Sequence, residues 1–98
     1  MAKYRFTNKA IDDLSRIWNY TFENWSENQA DKYYRQLLAF CKEAAASPRL
    51  GKSYEVISES LFGMKANHHI IFYRIIADQE IEIVRILHER MDLKNRLK

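Results

Sequence analysis

The residues best suited to chemistry are histidines and arginines in the second half of the chain. They are His68, His69, Arg74, Arg85, His88 and Arg90. A histidine beside a 2′-hydroxyl can act as an acid or base, and arginines can neutralise a scissile phosphate, so together they could cleave RNA. In that interpretation His88 moves the proton, and Arg74 and Arg85 hold the phosphate.

Each of these side chains also has a structural interpretation. His68 and His69 precede an apolar run and are expected to satisfy a turn. Arg74 is expected to pair with a carboxylate, and Arg85 lies inside an apolar run, where an arginine is either paired or faces a partner.

Other kinds of active site lack their sequence signatures. The serines have no nucleophile-elbow context, and the sequence has no glycine-rich phosphate loop. Cys41 is the single cysteine, which excludes an internal disulfide and a metal site built on paired cysteines. Because Cys41 falls on an apolar helical stripe, we expect a buried structural thiol. We expect no cofactor and no metal.

Length and composition indicate one small globular domain spanning residues 1–98. Hydrophobic residues make up 47% and charged residues 30% of the 98 residues, which is typical of soluble globular proteins. The formal net charge of +3 is mild for a protein that binds nucleic acid. The amino terminus does not match a signal peptide, and no run approaches the roughly 20 apolar residues of a membrane span. We therefore expect a cytoplasmic location and no contact with membranes.

The amino-terminal third predicts a short strand followed by a helix. Residues 4–6 alternate as a strand does. Thr7 or the residue after it can cap a helix that we predict over about 8–24. Asp12 and Asp13 lie in its first turns, where negative charge compensates the helix dipole.

A second helix is predicted directly after the first. Ser26 and Gln29 form a capping-box pattern, and the apolar residues that follow recur at helical spacing over about 27–46. Pro48 ends the helix because it lacks a backbone N–H. Two helices with so short a link predict an antiparallel helical hairpin.

The second half predicts three strands. They cover residues 61–66, 69–76 and 81–87, and residues 77–80 form a four-residue turn between the last two. The predicted fold class is α+β with the order β-α-α-β-β-β, an antiparallel sheet packed against the amino-terminal helical hairpin.

Both strands of the carboxy-terminal hairpin are apolar on both faces. A strand that is covered on one face alternates more strictly between apolar and polar residues. The two helices can cover one face, and little apolar sequence remains for the other. The second face is therefore expected to be covered too, by more of this chain or by another protein, and our hypothesis is that a partner chain covers it.

Two motifs near the carboxy terminus carry a family resemblance. Phe72-Tyr73-Arg74 is followed by Val84-Arg85-Ile86-Leu87-His88 and then by Arg90-Met91-Asp92. With them, and with the strand that runs into Thr7-Asn8-Lys9-Ala10, the chain resembles the ParE branch of the RelE/ParE toxin superfamily over nearly its whole length.

The resemblance implies the toxic component of a type II toxin–antitoxin system that stabilises plasmids or arrests growth. It implies a protein that inhibits DNA gyrase by binding it, without enzymatic activity. It also implies neutralisation by a ParD-like antitoxin in a hetero-oligomer that reaches operator DNA only through the antitoxin. The sister RelE branch cleaves mRNA on the ribosome, so the alternative is an mRNA interferase. The resemblance to that branch implies a catalytic aromatic residue near the carboxy terminus, and no Tyr, Phe or Trp follows Tyr73, so the pattern for RNA cleavage is incomplete.

Two candidate binding surfaces follow from charge and aromatic content. Residues 85–98 hold five basic and two acidic residues, a net charge of +3, and clustered charge steers encounters with an acidic partner. The candidate target-binding residues are Arg85, His88, Arg90, Met91, Asp92, Lys94 and Arg96. The candidate antitoxin-binding residues are Trp18, Phe22, Trp25, Tyr33 and Tyr34. The alternatives are a solvated tail and an aromatic core.

Overall fold

The computed structural model describes residues 2–97. Along the chain, two long helices follow the first strand and precede the other strands of the sheet. The elements of this part of the chain, with one 3₁₀ turn at Pro48–Leu50, are β1 (Lys3–Phe6), α1 (Asn8–Asn24), α2 (Glu27–Ala46), β2 (Lys52–Ser53), β3 (Phe62–Ala66), β4 (His69–Ala77), β5 (Glu80–His88) and α3 (Leu93–Arg96). The α+β class and the helical hairpin are confirmed. None of the helices in residues 2–97 is both long enough and apolar enough to cross a membrane.

The sheet has the strand order β1-β5-β4-β3-β2. Strands β2 to β5 pair antiparallel, as predicted, but β1 pairs parallel with β5, from Lys3 opposite Glu80 to Phe6 opposite Ile83. The sheet is therefore mixed, and the two-residue strand β2 was not predicted. A short strand carries no signal for the direction of its partner, so the sequence could not reveal the parallel pairing.

Both helices begin where a side-chain cap predicts. The Thr7 hydroxyl accepts a hydrogen bond from the Ala10 N–H at 3.1 Å, and the Ser26 hydroxyl accepts one from the Gln29 N–H at 3.1 Å. Each cap satisfies an amide of the first helical turn that has no partner within the helix. The predicted bounds of α1 and α2 are confirmed because the caps fix them.

The carboxy-terminal hairpin turns more tightly than predicted. Ala77 pairs with Glu80, which leaves a loop of two residues, with Gln79 at φ 53°. The hairpin also contains an irregularity, because Phe72 pairs with Arg85 while the next residue, Tyr73, pairs with Ile83. Val84 is thus the extra residue of a β-bulge, which changes the side-chain phase of β5.

The first face of the sheet, packed against α1 and α2, holds the main core. Ile71, Tyr73, Ile83 and Ile86 pack there against helix residues that include Leu37, Cys41 and Ala44. The Cys41 thiol is fully buried, and burial raises its pKa to about 12, so a structural role for this cysteine is confirmed. The Tyr73 hydroxyl donates a hydrogen bond to the Pro48 carbonyl at 2.6 Å. This bond connects the segment after α2 to β4.

The second face is covered by the chain itself, so the prediction that a partner chain covers it is wrong. Leu61, Ile70, Phe72 and Leu87 are buried there. They pack against Val84 of β5, against Tyr54 of the segment after β2, and against Leu93 and Leu97 of the tail. A Cβ added to Gly63 would lie 2.5 Å from the Tyr54 ring, so this glycine allows Tyr54 to approach the strand closely. Isolated apolar residues in two polar segments are enough to cover this face.

Candidate functional site

A groove of about 900 Å³ opens where the connecting end of the helical hairpin meets the end of the sheet. We call it the aromatic groove. It is lined by Arg16, Ile17, Tyr20, Thr21, Trp25, Gln29, Tyr33, His68, His69, His88 and Met91. The lining comes from α1, α2, the turn between β3 and β4, the end of β5 and the segment after β5.

The walls of the aromatic groove expose large apolar side chains to solvent. Trp25 is 75% exposed, Tyr20 is 65% exposed and Met91 is 41% exposed. Exposed apolar residues are common singly, but a group that lines one concave surface is typical of a binding site. Ile17 and Thr21, one helical turn apart, form the inner row of α1 and Tyr20 the outer row, so the helix period places them around one opening.

Three histidines form one end of the aromatic groove. The His88 ring centroid lies 5.3 Å from that of His69 and 6.3 Å from that of His68. The Tyr33 hydroxyl and His69 Nδ1 are hydrogen-bonded at 2.6 Å. Burial, and to a lesser extent the neighbouring His88 and His68, lower the pKa of His69 to about 4. His69 is therefore neutral at pH 7.

The hydrogen bond that His88 accepts determines which nitrogen of its neutral ring carries the hydrogen. His88 Nδ1 accepts a hydrogen bond from the Arg90 backbone N–H at 3.1 Å, so the neutral ring carries its hydrogen on Nε2. In that form His88 can donate to a partner but cannot bind a metal ion through Nε2. Within residues 2–97, no group of three or more His, Cys, Asp or Glu side chains is arranged to hold a metal ion.

A buried ion pair joins α1 to β5. Arg85 Nε lies 2.8 Å from Asp13 Oδ2, and Arg85 Nη2 lies 3.0 Å from Asp13 Oδ1, a bidentate geometry. The hydrogen bond with Asp13 raises the pKa of Arg85. Asp13 is 5% exposed, so the prediction that it only compensates the helix dipole is wrong.

The ion pair also closes an open edge of the sheet. Strand β1 ends opposite Ile83, so the outer edge of β5 has no strand partner beyond that point. There the Thr7 hydroxyl donates to the Val84 carbonyl at 2.9 Å, and Asp13 Oδ2 accepts from the Ile86 N–H at 3.0 Å. The side chains of Thr7, which caps α1, and of Asp13, which lies in α1, thus satisfy backbone groups of β5 that would otherwise lack partners.

The candidate nuclease residues do not lie together. His88 lines the aromatic groove, whereas Arg74 and Arg85 line a separate cavity of about 270 Å³. Arg74 donates to the Ser58 hydroxyl at 2.6 Å and to the Glu59 carbonyl at 3.3 Å. The prediction that a carboxylate pairs with Arg74 is therefore wrong. A proton-transfer group and phosphate-binding cations do not share a surface in this arrangement.

The candidate target-binding residues form a surface around α3 that reaches the aromatic groove. His88 and Met91 line the groove, and Arg90, Asp92, Lys94 and Arg96 are exposed. Arg85 differs from the others, since Asp13 and the Arg96 carbonyl, 3.0 Å from its Nη1, occupy its guanidinium. It therefore positions the tail.

The candidate antitoxin-binding residues divide into two groups. Trp25 and Tyr33 line the aromatic groove. Trp18, Phe22 and Tyr34 lie outside it. Trp18 stacks on Phe22 with ring centroids 5.3 Å apart, and its indole N–H donates a hydrogen bond to Asp31 at 3.0 Å. Tyr34 is 38% exposed.

Sequence reasoning missed several residues of the groove, namely Arg16, Ile17, Tyr20, Thr21 and Gln29. The spacing of Ile17 and Thr21, together with the aromatic Tyr20, was the signal that could have found them.

Comparisons with known proteins agree with this fold. The family described as "ParE toxin of type II toxin-antitoxin system, parDE" matches residues 4–93. The chain is 34% identical over 96 residues to Toxin ParE1 of Mycobacterium tuberculosis (strain H37Rv), covering 98% of each chain. It is 32% identical over 97 residues to Toxin ParE1 of Caulobacter vibrioides, covering 99% of each.

Two further comparisons extend the similarity to a third bacterial species and to a solved structure. Toxin ParE of Escherichia coli is 33% identical over 97 residues, which are 99% of this chain and 94% of that one. A chain from the chromosomal ParDE TA system of P. aeruginosa superposes with a TM-score of 0.76 at 19% identity, covering 90% of this chain and 96% of that one. This last similarity concerns the fold.

Proposed function

Since the chain belongs to the ParE toxin family of type II toxin–antitoxin systems, we propose that it inhibits DNA gyrase in the cytoplasm by binding it. We further propose that a ParD-like antitoxin neutralises it in a hetero-oligomer, and that the pair reaches operator DNA only through the antitoxin. The observation that carries the neutralisation step is the aromatic groove, which adjoins the exposed basic tail.

The aromatic groove suits an amphipathic segment of the antitoxin. Its exposed Trp25, Tyr20 and Met91 offer the aromatic and sulfur-containing anchors that protein interfaces favour. A helix or extended segment can insert apolar side chains into such a groove. The net charge of +3 on this chain favours an acidic antitoxin because complementary charge accelerates association.

Neutralisation follows from shared residues. His88 and Met91 line the groove and also belong to the proposed gyrase-binding surface with Arg90, Asp92 and Lys94. An antitoxin segment seated in the groove covers two residues of the surface that gyrase needs. The two partners therefore compete for the toxin.

The separation of His88 from Arg74 and Arg85 favours protein binding over RNA cleavage. Cleavage of mRNA requires the acid or base and the phosphate-binding groups around one scissile bond. Arg85 is held by Asp13, and neither arginine lines the groove in which His88 lies. An mRNA interferase would need a different arrangement of these side chains.

A supercoiling assay with purified chain and gyrase tests the target. We expect loss of supercoiling at excess toxin, and weaker inhibition by Arg90→Ala, which removes an exposed charge of the tail. Lys42→Ala on α2 removes the same charge elsewhere and is the matched control. Undiminished supercoiling, or cleaved ribosome-bound mRNA during growth arrest, would contradict the proposal.

Tryptophan fluorescence tests the antitoxin site because the chain has two tryptophans, one inside the groove and one outside it. Trp18→Phe leaves Trp25 as the only reporter, and Trp25→Phe leaves Trp18. We expect antitoxin binding to shift the Trp25 emission to shorter wavelength, with little change at Trp18. A response at Trp18 alone would move the antitoxin to the outer aromatic surface of the hairpin.

A further inference from the structure

Four cationic side chains from distant parts of the sequence converge on one cavity. Lys9, Arg74, Arg85 and Arg96 line the opening of about 270 Å³ beside the second face of the sheet. The bulge at Val84 contributes to this convergence, since Val84 and the following Arg85 both line the cavity. The aromatic groove shares none of these residues, so the cavity is a separate feature.

The charges around this cavity are mostly unneutralised. Asp13 balances Arg85. Among residues 2–97, the ion pairs within 4.0 Å involve Arg5, Lys65, His68 and Arg85, so no described carboxylate pairs with Lys9, Arg74 or Arg96. Arg74 contacts only the neutral Ser58 hydroxyl and the Glu59 carbonyl. Three positive charges therefore face one small opening.

Three like charges around one opening repel one another, and a bound anion relieves that repulsion. An anion with two negative charges and several acceptor oxygens matches the surplus better than a single carboxylate does. Guanidinium groups bind such anions through charge-assisted hydrogen bonds. The positive end of α1, which begins at Asn8 on the cavity wall, adds to the attraction.

We propose that this cavity binds a phosphate group, either as free phosphate or as the terminal phosphate of a small molecule such as a nucleotide. Leu61, Val84 and Leu97 form an apolar part of the wall, which can contact the carbon skeleton of a phosphate ester. Because Arg96 belongs to α3 and Lys9 to α1, a bound phosphate joins the two elements across the sheet edge. The proposal depends neither on gyrase nor on an antitoxin.

Calorimetric titration of the full chain with inorganic phosphate and with AMP, at an ionic strength held constant with KCl, tests the proposal. The matched variants are Arg96→Ala and Lys94→Ala. Both remove one positive charge from α3, but only Arg96 lines the cavity. The Arg96 carbonyl that binds Arg85 is a backbone group and stays in Arg96→Ala.

We expect saturable binding of at least one of the two phosphate compounds, weakened about tenfold by Arg96→Ala and hardly changed by Lys94→Ala. Binding of inorganic phosphate alone would identify a free-phosphate site, and tighter binding of AMP would identify a phosphate-ester site. Lys9→Ala, with Lys42→Ala as its control, repeats the comparison from the other wall should Arg96→Ala fail to fold.

Two results would overturn the proposal. One is the absence of saturable binding by both compounds. The other is an equal loss in Arg96→Ala and Lys94→Ala, which would indicate diffuse attraction by the whole surface. Neither of these results bears on the gyrase assay, so the two proposals fail independently.

Discussion

The two faces of the sheet are closed by very different amounts of structure. The first face lies under α1 and α2, which have 17 and 20 residues and bury a continuous core with Leu37 and Cys41 at 0% exposure. The second face is covered by the segment around Tyr54 and by α3, a helix of four residues. The side chains that cover it, including Leu93 and Leu97, are only partly buried.

This difference separates stability from partner binding. The stabilising free energy scales with the apolar area that folding removes from water. The first face buries more large side chains than the second, so it carries most of the stability. The tail on the second face is held by a few contacts, among them the hydrogen bond from Arg85 to the Arg96 carbonyl. Elements with few buried contacts open at low free energy and are often those that bind partners. In this fold α3 is an element with few buried contacts.

The largest effect is expected where the two faces are joined. Asp13→Ala leaves the Arg85 guanidinium and the Ile86 N–H without their partner, and breaking a buried pair costs about 3–5 kcal/mol. Urea unfolding measures the loss. Arg5→Ala breaks the exposed pair with Glu82 and is the control, with an expected loss of under about 1 kcal/mol. Equal losses would show that the buried pair has no special role.

A smaller effect compares the two covers directly. Leu37→Ala removes a fully buried side chain from the first face and is expected to cost about 2–5 kcal/mol in the free energy of unfolding. Leu97→Ala removes a partly buried side chain from the second face, and its expected cost is about 1 kcal/mol. The same urea experiment measures both. A larger loss for Leu97→Ala would reverse the assignment of stability to the first face.

The smallest effect concerns acidity at the histidine end of the aromatic groove. The unfolded chain binds a proton at His69 near pH 6.5, but the folded chain does so only near pH 4 because burial lowers this pKa. The stabilising contribution is thus complete above about pH 6.5 and falls as the pH decreases towards 4. The urea midpoint of unfolding should decline as the pH is lowered across this range. The midpoint of the His69→Gln variant should decline less steeply. Identical slopes would exclude His69 as the cause.

The helices were the most predictable part of the fold, and the reason is local. Thr7 and Ser26 mark the starts of α1 and α2 through contacts within three residues, so the sequence alone contains the signal. Strands β1, β3, β4 and β5 were predicted to within one or two residues because their apolar runs are equally local, whereas the two-residue strand β2 was not predicted. The parallel pairing of β1 was not predicted, because the information lies in β5.

The site was less predictable because it is assembled from distant residues. Asp13 and Arg85 are separated by 72 positions, and no periodic pattern connects them. Trp25 and Tyr33 were assigned to one partner and His88 and Met91 to another, yet all four line the same groove. Residue types therefore indicated binding, but only the fold shows that the two predicted surfaces overlap.

Strand β1 lies at the edge of the sheet beside β5, and this position determines when during synthesis the sheet can form. The Thr7 hydroxyl reaches the Val84 carbonyl across 77 positions, so β1 has no strand to pair with until β5 has left the ribosome. Contacts of such long sequence separation form late and slow the folding of the chain. A polypeptide truncated before β5 lacks the partner of its own first strand, so translation must pass β5 before this sheet can be completed.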